Sequence, residues 1–236
     1  MNGSRRHQPP MLRASLAALV MLLFAGCAST PMLSKQDAFP AMYGSERPVS
    51  ILVLPAINRS TAADAGSLLD VTVAEPFANH GYYVMPLPIT SDLFERDGIV
   101  DGDQLLGIPG EVFRDSFGAD AVMYITIENW ETNYIVVAGN VTVGMSYVLK
   151  STTSEEILWS YKGRVVVDTS GSSGNILADM VATAITTATA DYVPVAIQVH
   201  LVALTAMPFG GYHPQSGLDG EAKVVNAANR DSALAP

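Results

Sequence analysis

The stretch Val49-Ser50-Ile51-Leu52-Val53-Leu54-Pro55 decides the fold of this chain. It is a short run of β-branched and apolar residues, which is typical of a strand that is buried on both faces. Pro55 has no amide hydrogen to give to a sheet ladder, so the strand is expected to end there. The stretch therefore predicts the central strand of a sheet that is covered by helices.

A polar loop and a helix follow the central strand. The loop carries three side chains that can bond nearby backbone amides in a turn: Asn58, Ser60 and Thr61. Asp64 is a suitable N-cap for a helix over about residues 65–79, and Gly81 suits the position just after its end. We take the loop as a candidate partner contact, and a plain structural turn is the alternative.

The remaining elements follow from β-branched runs and from glycine and proline breaks. Strands are predicted at residues 82–87, 121–127, 134–137, 141–149 and 156–167, and helices at residues 91–94, 109–117 and within 175–207. The order β-α-β-α-β-β-β-α predicts an α/β (α+β) fold, a single domain with a mixed β-sheet packed by helices. Apolar residues alternate along 141–149, so one face of that strand is expected to be buried. Pro194 is expected to kink the last helix.

The N-terminus carries the pattern of a bacterial lipoprotein signal. Three arginines precede the uncharged residues 14–24, and the small residues Ala25 and Gly26 lead into Cys27. A membrane-spanning helix needs about 20 apolar residues, so this shorter run suits the apolar part of a signal peptide. Cys27 is thus the predicted lipidation site. An ordinary secretory signal with a chance cysteine is the alternative.

Acylation of Cys27 would anchor the mature chain without a transmembrane helix, because each buried CH₂ of a fatty chain contributes about 0.8 kcal/mol. The next residue is Ala28, not the Asp that favours retention in the inner membrane, so the periplasmic face of the outer membrane is predicted. Cys27 is the only cysteine, so no intramolecular disulfide can form. Met1 and Met11 are both candidate start residues.

The excess of acidic residues argues against some classes of partner. Removing residues 1–26 leaves 10 basic and 23 acidic residues, a formal charge of −13. So acidic a surface argues against nucleic acid and against anionic lipid head groups as ligands. We expect a signal peptide (1–26), a tether (27–47), an α/β domain (48–209) and an irregular C-terminal tail (210–236).

The sequence shows no catalytic or cofactor-binding pattern. No histidine stands at ligand spacing from another metal-binding residue, and residues 169–174 lack the lysine of a phosphate loop. Asp97, Asp101 and Asp103 lie in one loop, but the distal glutamate of a calcium loop is missing, so a solvated acidic loop is expected. His80 is expected to place a favourable positive charge at a helix end. We predict neither an enzyme nor a metal or cofactor site.

Several segments together resemble a family of bacterial lipoproteins of unknown function. They lie within about residues 46–215 and include Arg47-Pro48, residues 51–55, Asn58, residues 81–84, residues 117–127, residues 156–159 and Gly211-Tyr212-His213-Pro214. More distantly, the first strand and its loop are similar to α/β domains of the curli-secretion lipoprotein, the Tol system's periplasmic protein and lipoprotein activators of peptidoglycan synthases. Those are binding modules, so the resemblance implies a partner-binding domain. Tyr212, His213 and Pro214 join the candidate partner contacts.

The resulting prediction is an outer-membrane lipoprotein that faces the periplasm and acts as a non-catalytic assembly or scaffold subunit of a cell-envelope complex. The predicted partners are the membrane, through the lipid, and other envelope lipoproteins, with a curli-secretion-like complex implied by the resemblance. A homo-oligomer is left open. One alternative is a secretion-pore subunit with residues 141–167 or 175–207 in the membrane. The other is a periplasmic ligand-binding or hydrolytic protein, which would need ionisable groups that converge in a pocket.

Overall fold

The structure is a computed structural model that describes residues 32–45, 47–135, 138–168 and 192–224. Cys27 and the predicted signal peptide lie outside the described residues, as do residues 175–191 and the end of the predicted tail. The strands are β1 (Ser50–Val53), β2 (Ile57–Asn58), β3 (Tyr83–Val84), β4 (Ala121–Ile135), β5 (Ala138–Ser151) and β6 (Ile157–Asp168). The helices are α1 (Lys35–Ala38), α2 (Ala65–Asn79), α3 (Leu87–Arg96), α4 (Gly110–Phe117) and α5 (Val193–Ala206), with 3-10 turns at Pro40–Tyr43 and Gly102–Leu105.

These strands form one mixed sheet in the order β3-β1-β4-β5-β6, and β2 also pairs with β4. β1 is parallel to β3 and β4, whereas β4, β5 and β6 are antiparallel to their neighbours. The central stretch is buried as predicted, since Ile51 and Leu52 are 0% exposed and Val53 is 3% exposed. The predicted α/β fold, a mixed sheet packed by helices, is confirmed.

Helices cover both faces of the sheet around β1. Ile51 and Val53 belong to the larger core, which includes residues of α2 and α5. Leu52 and Leu54 belong to a second core with residues of α3 and α4. Successive side chains of a strand point to opposite faces, so the one apolar run supplies both cores. Each such side chain contributes roughly 1.5–3 kcal/mol when fully buried.

The strands β4, β5 and β6 form a long antiparallel ribbon. The alternate residues of β5 are all 0% exposed, as the pattern predicted: Val141, Val143, Met145, Tyr147 and Leu149. Residues 128–133 are also strand residues, so the predicted strand at 121–127 continues through them to Ile135 as the single strand β4. A register shift between Ile127 and Asn129 takes up one extra residue, which is the effect of a β-bulge.

The helix α2 spans the predicted residues, but α3 and α5 differ from the prediction. α3 begins at Leu87, well before Ser91, because Pro88 fits the first turn, where no amide hydrogen is needed. Pro194 likewise lies in the first turn of α5, so it starts that helix and does not kink it. No helix among the described residues is both long and apolar enough to cross a membrane.

The segments on either side of the predicted domain are part of the fold. Residues 34–43, assigned to the tether, form α1 and a 3-10 turn and bury Phe39 and Met42. Residues 219–224, assigned to the tail, run beside them, and Lys35 N donates to Ala222 O at 2.8 Å. We call residues 34–43 together with residues 219–224 the terminal clamp. The expected boundaries at residues 48 and 209 therefore change, because apolar burial and backbone pairing hold both segments on the domain.

Candidate functional site

The first predicted contact, the loop of residues 58–61, is a closed turn. Asn58 Nδ2 donates to Ala62 O at 2.7 Å. Asn58 Oδ1 accepts from Ser60 N at 3.0 Å and from Ser60 Oγ at 2.7 Å. These bonds use both ends of the Asn58 amide, so Asn58 and Ser60 hold the turn together. Thr61 is exposed and has no role in these bonds, so it is the predicted contact residue of the loop that a partner can reach.

A cleft of about 190 Å³ lies beside this turn, where β1 ends and α2 begins. Its polar lining comes from the turn, α2, α3 and the loop after α3, and consists of Asn58, Ser67, Asp70, Ser91, Glu95 and Asp101. In open α/β sheets, ligands bind outside the carboxyl ends of the strands. The cleft is in that position, and its three carboxylates suit a cationic group.

Asp70 has an unusual environment in the cleft. Burial raises the pKa of Asp70 above its ordinary value, the hydrogen bond from Ser91 Oγ lowers it, and the negative charge of Glu95 raises it further. The distance from Ser91 Oγ to Asp70 Oδ2 is 3.2 Å. A raised pKa means that the ionised carboxylate is stabilised less here than in water. A cation in the cleft would therefore be favoured beside Asp70.

The acidic loop after α3 has a structural role. Asp101 Oδ1 accepts from Asp103 N at 2.8 Å, and Gln104 Oε1 accepts from Asp101 N at 3.1 Å, so the loop forms a capping box. Asp103 also pairs with Arg59, whose Nη1 is 2.7 Å from Asp103 Oδ2. Within the described part of the chain, no group of three or more His, Cys, Asp or Glu side chains is placed to hold a metal ion.

The second predicted contact, Tyr212, His213 and Pro214, lies at the opposite end of α2. Tyr212 N donates to Gly81 O at 3.0 Å, just beyond the end of the helix. The His213 ring stacks on Phe209 with 3.7 Å between ring centroids. Tyr212 and Pro214 are exposed to solvent. The segment is thus fixed through its backbone and through His213, while Tyr212 projects from the surface.

Two glycines allow this close packing. Gly81 has a φ of +95°, a backbone conformation that favours glycine. A methyl group on Gly81 would lie 2.5 Å from His213 N, and one on Gly210 would lie 2.2 Å from Gly81 O. The two backbones are therefore in direct contact, and no larger residue fits at either position without a shift.

His80, the last residue before Gly81, is also part of this packing. His80 Nε2–H donates to Met207 O at 3.0 Å, and its ring centroid is 4.6 Å from that of Phe209. Burial lowers the pKa of His80, and the bond to Met207 O offsets this only in part. The expected positive charge at the helix end is therefore disfavoured, because the ring is buried among aromatic neighbours.

A buried ion pair holds the terminal clamp closed. Lys35 Nζ is 3.0 Å from Asp219 Oδ2, the two side chains are 5% and 7% exposed, and Lys35 Nζ also donates to Met207 O at 2.6 Å. Asp219 accepts from Tyr43 Oη at 3.0 Å and from Phe209 N at 3.1 Å. Burial alone would raise the pKa of Asp219, but Lys35 and these donors hold it below its ordinary value. Each charge is thus matched, which a buried pair requires.

Between the two ends, a buried polar chain connects α2, α5 and β5. Thr72 Oγ1 donates to Leu69 O at 2.8 Å, so it accepts from His200 Nε2–H at 3.1 Å. His200 Nδ1 then accepts from the Tyr147 hydroxyl at 2.9 Å. Burial lowers the pKa of His200 to about 3. His200 is therefore a neutral structural link at ordinary pH.

The structure does not bring the two predicted contacts together. α2 has 15 residues, so its ends are about 22 Å apart at 1.5 Å per residue. Residues 58–61 lie at its N-terminal end, and residues 212–214 lie at its C-terminal end. Sequence reasoning missed the terminal clamp, and the signal that could have indicated it was apolar Phe39 and Met42 in a segment expected to be loose.

The family comparison matches most of the described domain. A family model described as "Putative lipoprotein GNA1162-like" matches residues 40–207. A curated relative, "Putative lipoprotein NMB1124/NMB1162" of Neisseria meningitidis serogroup B, is 27% identical over 139 residues. The alignment covers 59% of this chain and spans 65% of the length of that relative.

Two solved structures are similar to this chain to different degrees. The crystal structure of lipoprotein GNA1162 from Neisseria meningitidis is similar with a TM-score of 0.51 and 29% identity, over 58% of this chain and 95% of that chain. The PelC dodecamer from Paraburkholderia phytofirmans has a TM-score of 0.43 and 16% identity, over 76% of this chain and 94% of that chain. The first of these similarities supports the α/β architecture described above.

Proposed function

Because this chain belongs to the GNA1162-like family of lipoproteins, we propose that an acylated Cys27 anchors it in the outer membrane, on the periplasmic face. There it acts as a non-catalytic assembly subunit of a cell-envelope complex. Family membership supports the lipoprotein character, and the sequence pattern that ends at Cys27 supports the position of the lipid. The assembly role is supported by the geometry of the two ends of α2.

The terminal clamp is the observation that carries the proposal. It fixes residues 34–43 on the domain through the Lys35–Asp219 pair and backbone bonds to residues 220 and 222. Cys27 precedes Met32 by five residues, and an extended chain of that length reaches at most about 18 Å. A lipid on Cys27 would therefore hold the folded residues close to the bilayer instead of at the end of a 20-residue tether.

The cleft end of α2 is the surface that best supports partner binding. It lies one helix length from the Gly81 end, so a domain held by the clamp would present the cleft away from the bilayer. Thr61 and Ser67 are exposed there, and Asp70 and Glu95 make the cleft acidic. Complementary charge favours encounter with a partner, so we expect the contact to be a basic segment of an envelope protein.

The pore alternative has less support. Residues 141–167 form strands within the sheet, and their alternate apolar side chains are packed in the core with α2 and α5. The described part of residues 175–207 is α5, which packs on α2, β5 and β6. Membrane insertion of either segment would take apart the larger core.

The cleft favours one second candidate, a periplasmic protein that binds a small cationic ligand. Asp70 and Glu95 line the same cleft and influence each other electrostatically. Titration of the mature protein with spermidine tests this candidate. Saturable binding that disappears in the variant Asp70→Asn with Glu95→Gln would support it, and the absence of binding at millimolar spermidine would exclude polyamines.

Photo-crosslinking in cells tests the assembly proposal. A photoreactive amino acid replaces Ser67 in the cleft lining or Thr61 in the turn beside the cleft. Val166, which is 52% exposed on β6, is the matched control position. We expect one envelope protein to be crosslinked at both cleft positions, but not at Val166. Cys27→Ser is expected to release the chain from the membrane and to weaken the crosslink. Failure to recover an envelope protein at either cleft position would overturn the proposal.

A further inference from the structure

Three basic side chains meet at the ring of Phe209, at the Gly81 end of α2. The ring centroid of His80 is 4.6 Å from that of Phe209, and the centroid of His213 is 3.7 Å from it. Lys35 Nζ lies 5.0 Å from the same centroid. The three side chains come from α1, from the end of α2 and from the segment after α5. A change of charge on one of them therefore acts on contacts of the other two.

His80 and Lys35 also share a hydrogen-bond acceptor. Lys35 Nζ donates to Met207 O at 2.6 Å, and His80 Nε2–H donates to the same oxygen at 3.0 Å. The two nitrogens are therefore no more than about 6 Å apart. Because the bond to Met207 O needs the proton on Nε2, the neutral ring has its lone pair on Nδ1. A proton taken up there would place a second positive charge beside the Lys35 ammonium.

The charges around His80 oppose such a proton. Asp219 is the carboxylate that balances Lys35, and Arg47 adds another cation, since its Nη2 donates to Phe209 O at 3.2 Å. The charged or titratable groups of this cluster are Lys35, Tyr43, Arg47, Tyr82, His213 and Asp219. Burial lowers the pKa of His80, and Lys35 and His213 lower it further, while Met207 O and Asp219 raise it. The closed clamp thus favours the neutral ring.

We propose that the terminal clamp is a pH-sensitive latch, which opens when His80 takes up a proton and the Lys35 ammonium leaves Met207 O and Asp219. In the open state His80 titrates at its ordinary value of 6.5. Below pH 6.5 the open state therefore binds a proton that the closed state resists, so opening becomes more favourable as the pH falls. The groups involved all lie within the described residues, and they act whether or not Cys27 is acylated.

Opening of the latch would free residues 34–43 from the domain. Phe39 and Met42, each 2% exposed, would leave the larger core. Ten residues of extended chain reach up to roughly 35 Å, so the domain could move away from its own N-terminal segment. The clamp would then fix the position of the domain at neutral pH and release it in acid.

Hydrogen–deuterium exchange of the mature protein at pH 7.5 and pH 5.0 tests the latch. The reporters are clamp amides, among them Lys35 N, which donates to Ala222 O, and Phe39 N, which donates to Lys35 O. The exchange rates are corrected for the intrinsic effect of pH, so that they give protection factors.

Two variants separate opening of the clamp from unfolding of the whole domain. His80→Gln keeps an amide donor for Met207 O but cannot take up a proton. His200→Leu is the matched control, because His200 is 0% exposed and lies outside the clamp. Opening of the clamp alone would not expose His200, whereas unfolding of the domain would.

We expect the protection of the clamp amides to fall severalfold between pH 7.5 and pH 5.0 in the parent protein. About thirtyfold is the limit for one histidine that binds its proton only in the open state. The fall should persist in His200→Leu and disappear in His80→Gln.

Equal protection at the two pH values in the parent protein would overturn the proposal without any variant. A fall that His200→Leu removes would mean that the clamp opens only with the whole domain, which also overturns it. A fall that survives His80→Gln would do the same. Its loss in His213→Asn, which keeps an acceptor for Gln215 N, would then show that the other histidine controls the clamp.

Discussion

The two ends of α2 are built in opposite ways. At the C-terminal end, the backbone of Gly81 touches that of Gly210, and the Lys35–Asp219 pair closes the terminal clamp. At the N-terminal end, Asp64 occupies the N-cap position without making a side-chain cap hydrogen bond, and the cleft beside Asp70 is open. One end is thus filled by packing and matched charge, and the other is left polar and accessible.

Because the two ends of α2 are packed differently, we expect one end to contribute stability and the other to take part in recognition. Regions with few buried contacts open at a lower free energy than the core, and binding surfaces are commonly drawn from them. The clamped end holds the segment next to the predicted lipid, so it must resist opening. The cleft end carries polar groups at the surface, which fits the partner contact proposed for it.

The largest loss of stability is expected from Asp219→Asn, which breaks the Lys35–Asp219 ion pair of the terminal clamp. Removing one partner of a buried pair typically costs 3–5 kcal/mol, since the other charge stays buried. We expect a loss of about 4 kcal/mol in the free energy of unfolding, measured by urea denaturation. Adding Lys35→Met should recover much of that loss, because the remaining charge is removed.

An exposed ion pair supplies the control for this variant. Arg96 and Asp92 form an exposed pair on α3, with side chains 71% and 53% exposed. Arg96→Gln should change the free energy of unfolding by no more than about 0.5 kcal/mol. A cost of Asp219→Asn as small as that of Arg96→Gln would mean that the clamp does not stabilise the domain.

The next largest loss of stability is expected from Gly81→Ala, because a methyl group there would push the backbone of Gly81 away from that of residues 210–213. The positive φ costs about 1–2 kcal/mol for an L residue, and the contact with His213 N adds an overpacking cost of similar size. We expect a total loss of about 3 kcal/mol by thermal or urea unfolding. Gly118→Ala is the matched control, because Gly118 has a φ of +70° with open space around it, so only about 1 kcal/mol is expected. Equal losses for the two variants would show that the Gly81–Gly210 contact contributes nothing.

Acid should lower the free energy of unfolding through His200, which connects α2, α5 and β5. Its folded pKa of about 3 lies below the ordinary value of 6.5, so below pH 6.5 the unfolded chain binds a proton that the folded chain does not. The contribution of His200 is therefore fully present above pH 6.5 and is lost as the pH falls toward 3, by about 1.4 kcal/mol per pH unit. His200→Leu should reduce the fall in stability between pH 6.5 and pH 5 by about 2 kcal/mol. Parallel pH profiles for the two proteins would contradict this.

The smallest change in the free energy of unfolding is expected at the cleft end, where the substitution should stabilise the domain instead of destabilising it. Burial raises the pKa of Asp70, so the ionised carboxylate destabilises the folded state at neutral pH. Asp70→Asn should therefore raise the free energy of unfolding at pH 7, by no more than about 1 kcal/mol after solvent screening. The gain should shrink as the pH falls through the raised pKa, because Asp70 is then protonated in the parent protein. A loss of stability at pH 7 would show that Asp70 has a stabilising partner.

Sequence patterns within single segments predicted part of this fold. The bounds of α2 followed from Asp64 and Gly81, and the buried face of β5 followed from alternation along residues 141–149. The turn at residues 58–61 was also visible, because Asn and Ser side chains bond the backbone within four residues. Its role as a partner contact stays a prediction.

The clamped end could not be predicted in the same way. Lys35 and Asp219 are 184 residues apart, and a lysine between prolines in sequence gives no sign of a buried charge. Pro194 was misjudged for a related reason, since a proline is compatible with both a kink and a first helical turn, and only the packing of the chain decides. The acidic cleft needed α2, α3 and the loop after α3 to be brought together, which no single segment encodes.

The distance of Lys35 from Asp219 along the chain also sets an order of events during export. A chain that crosses a membrane N-terminus first delivers Lys35 long before Asp219, which lies 184 residues later. The segment beside the predicted lipid can therefore dock only after residue 219 has arrived. Chains that stop short of residue 219 would reach the membrane with the clamp unclosed, so closure would mark the arrival of that residue.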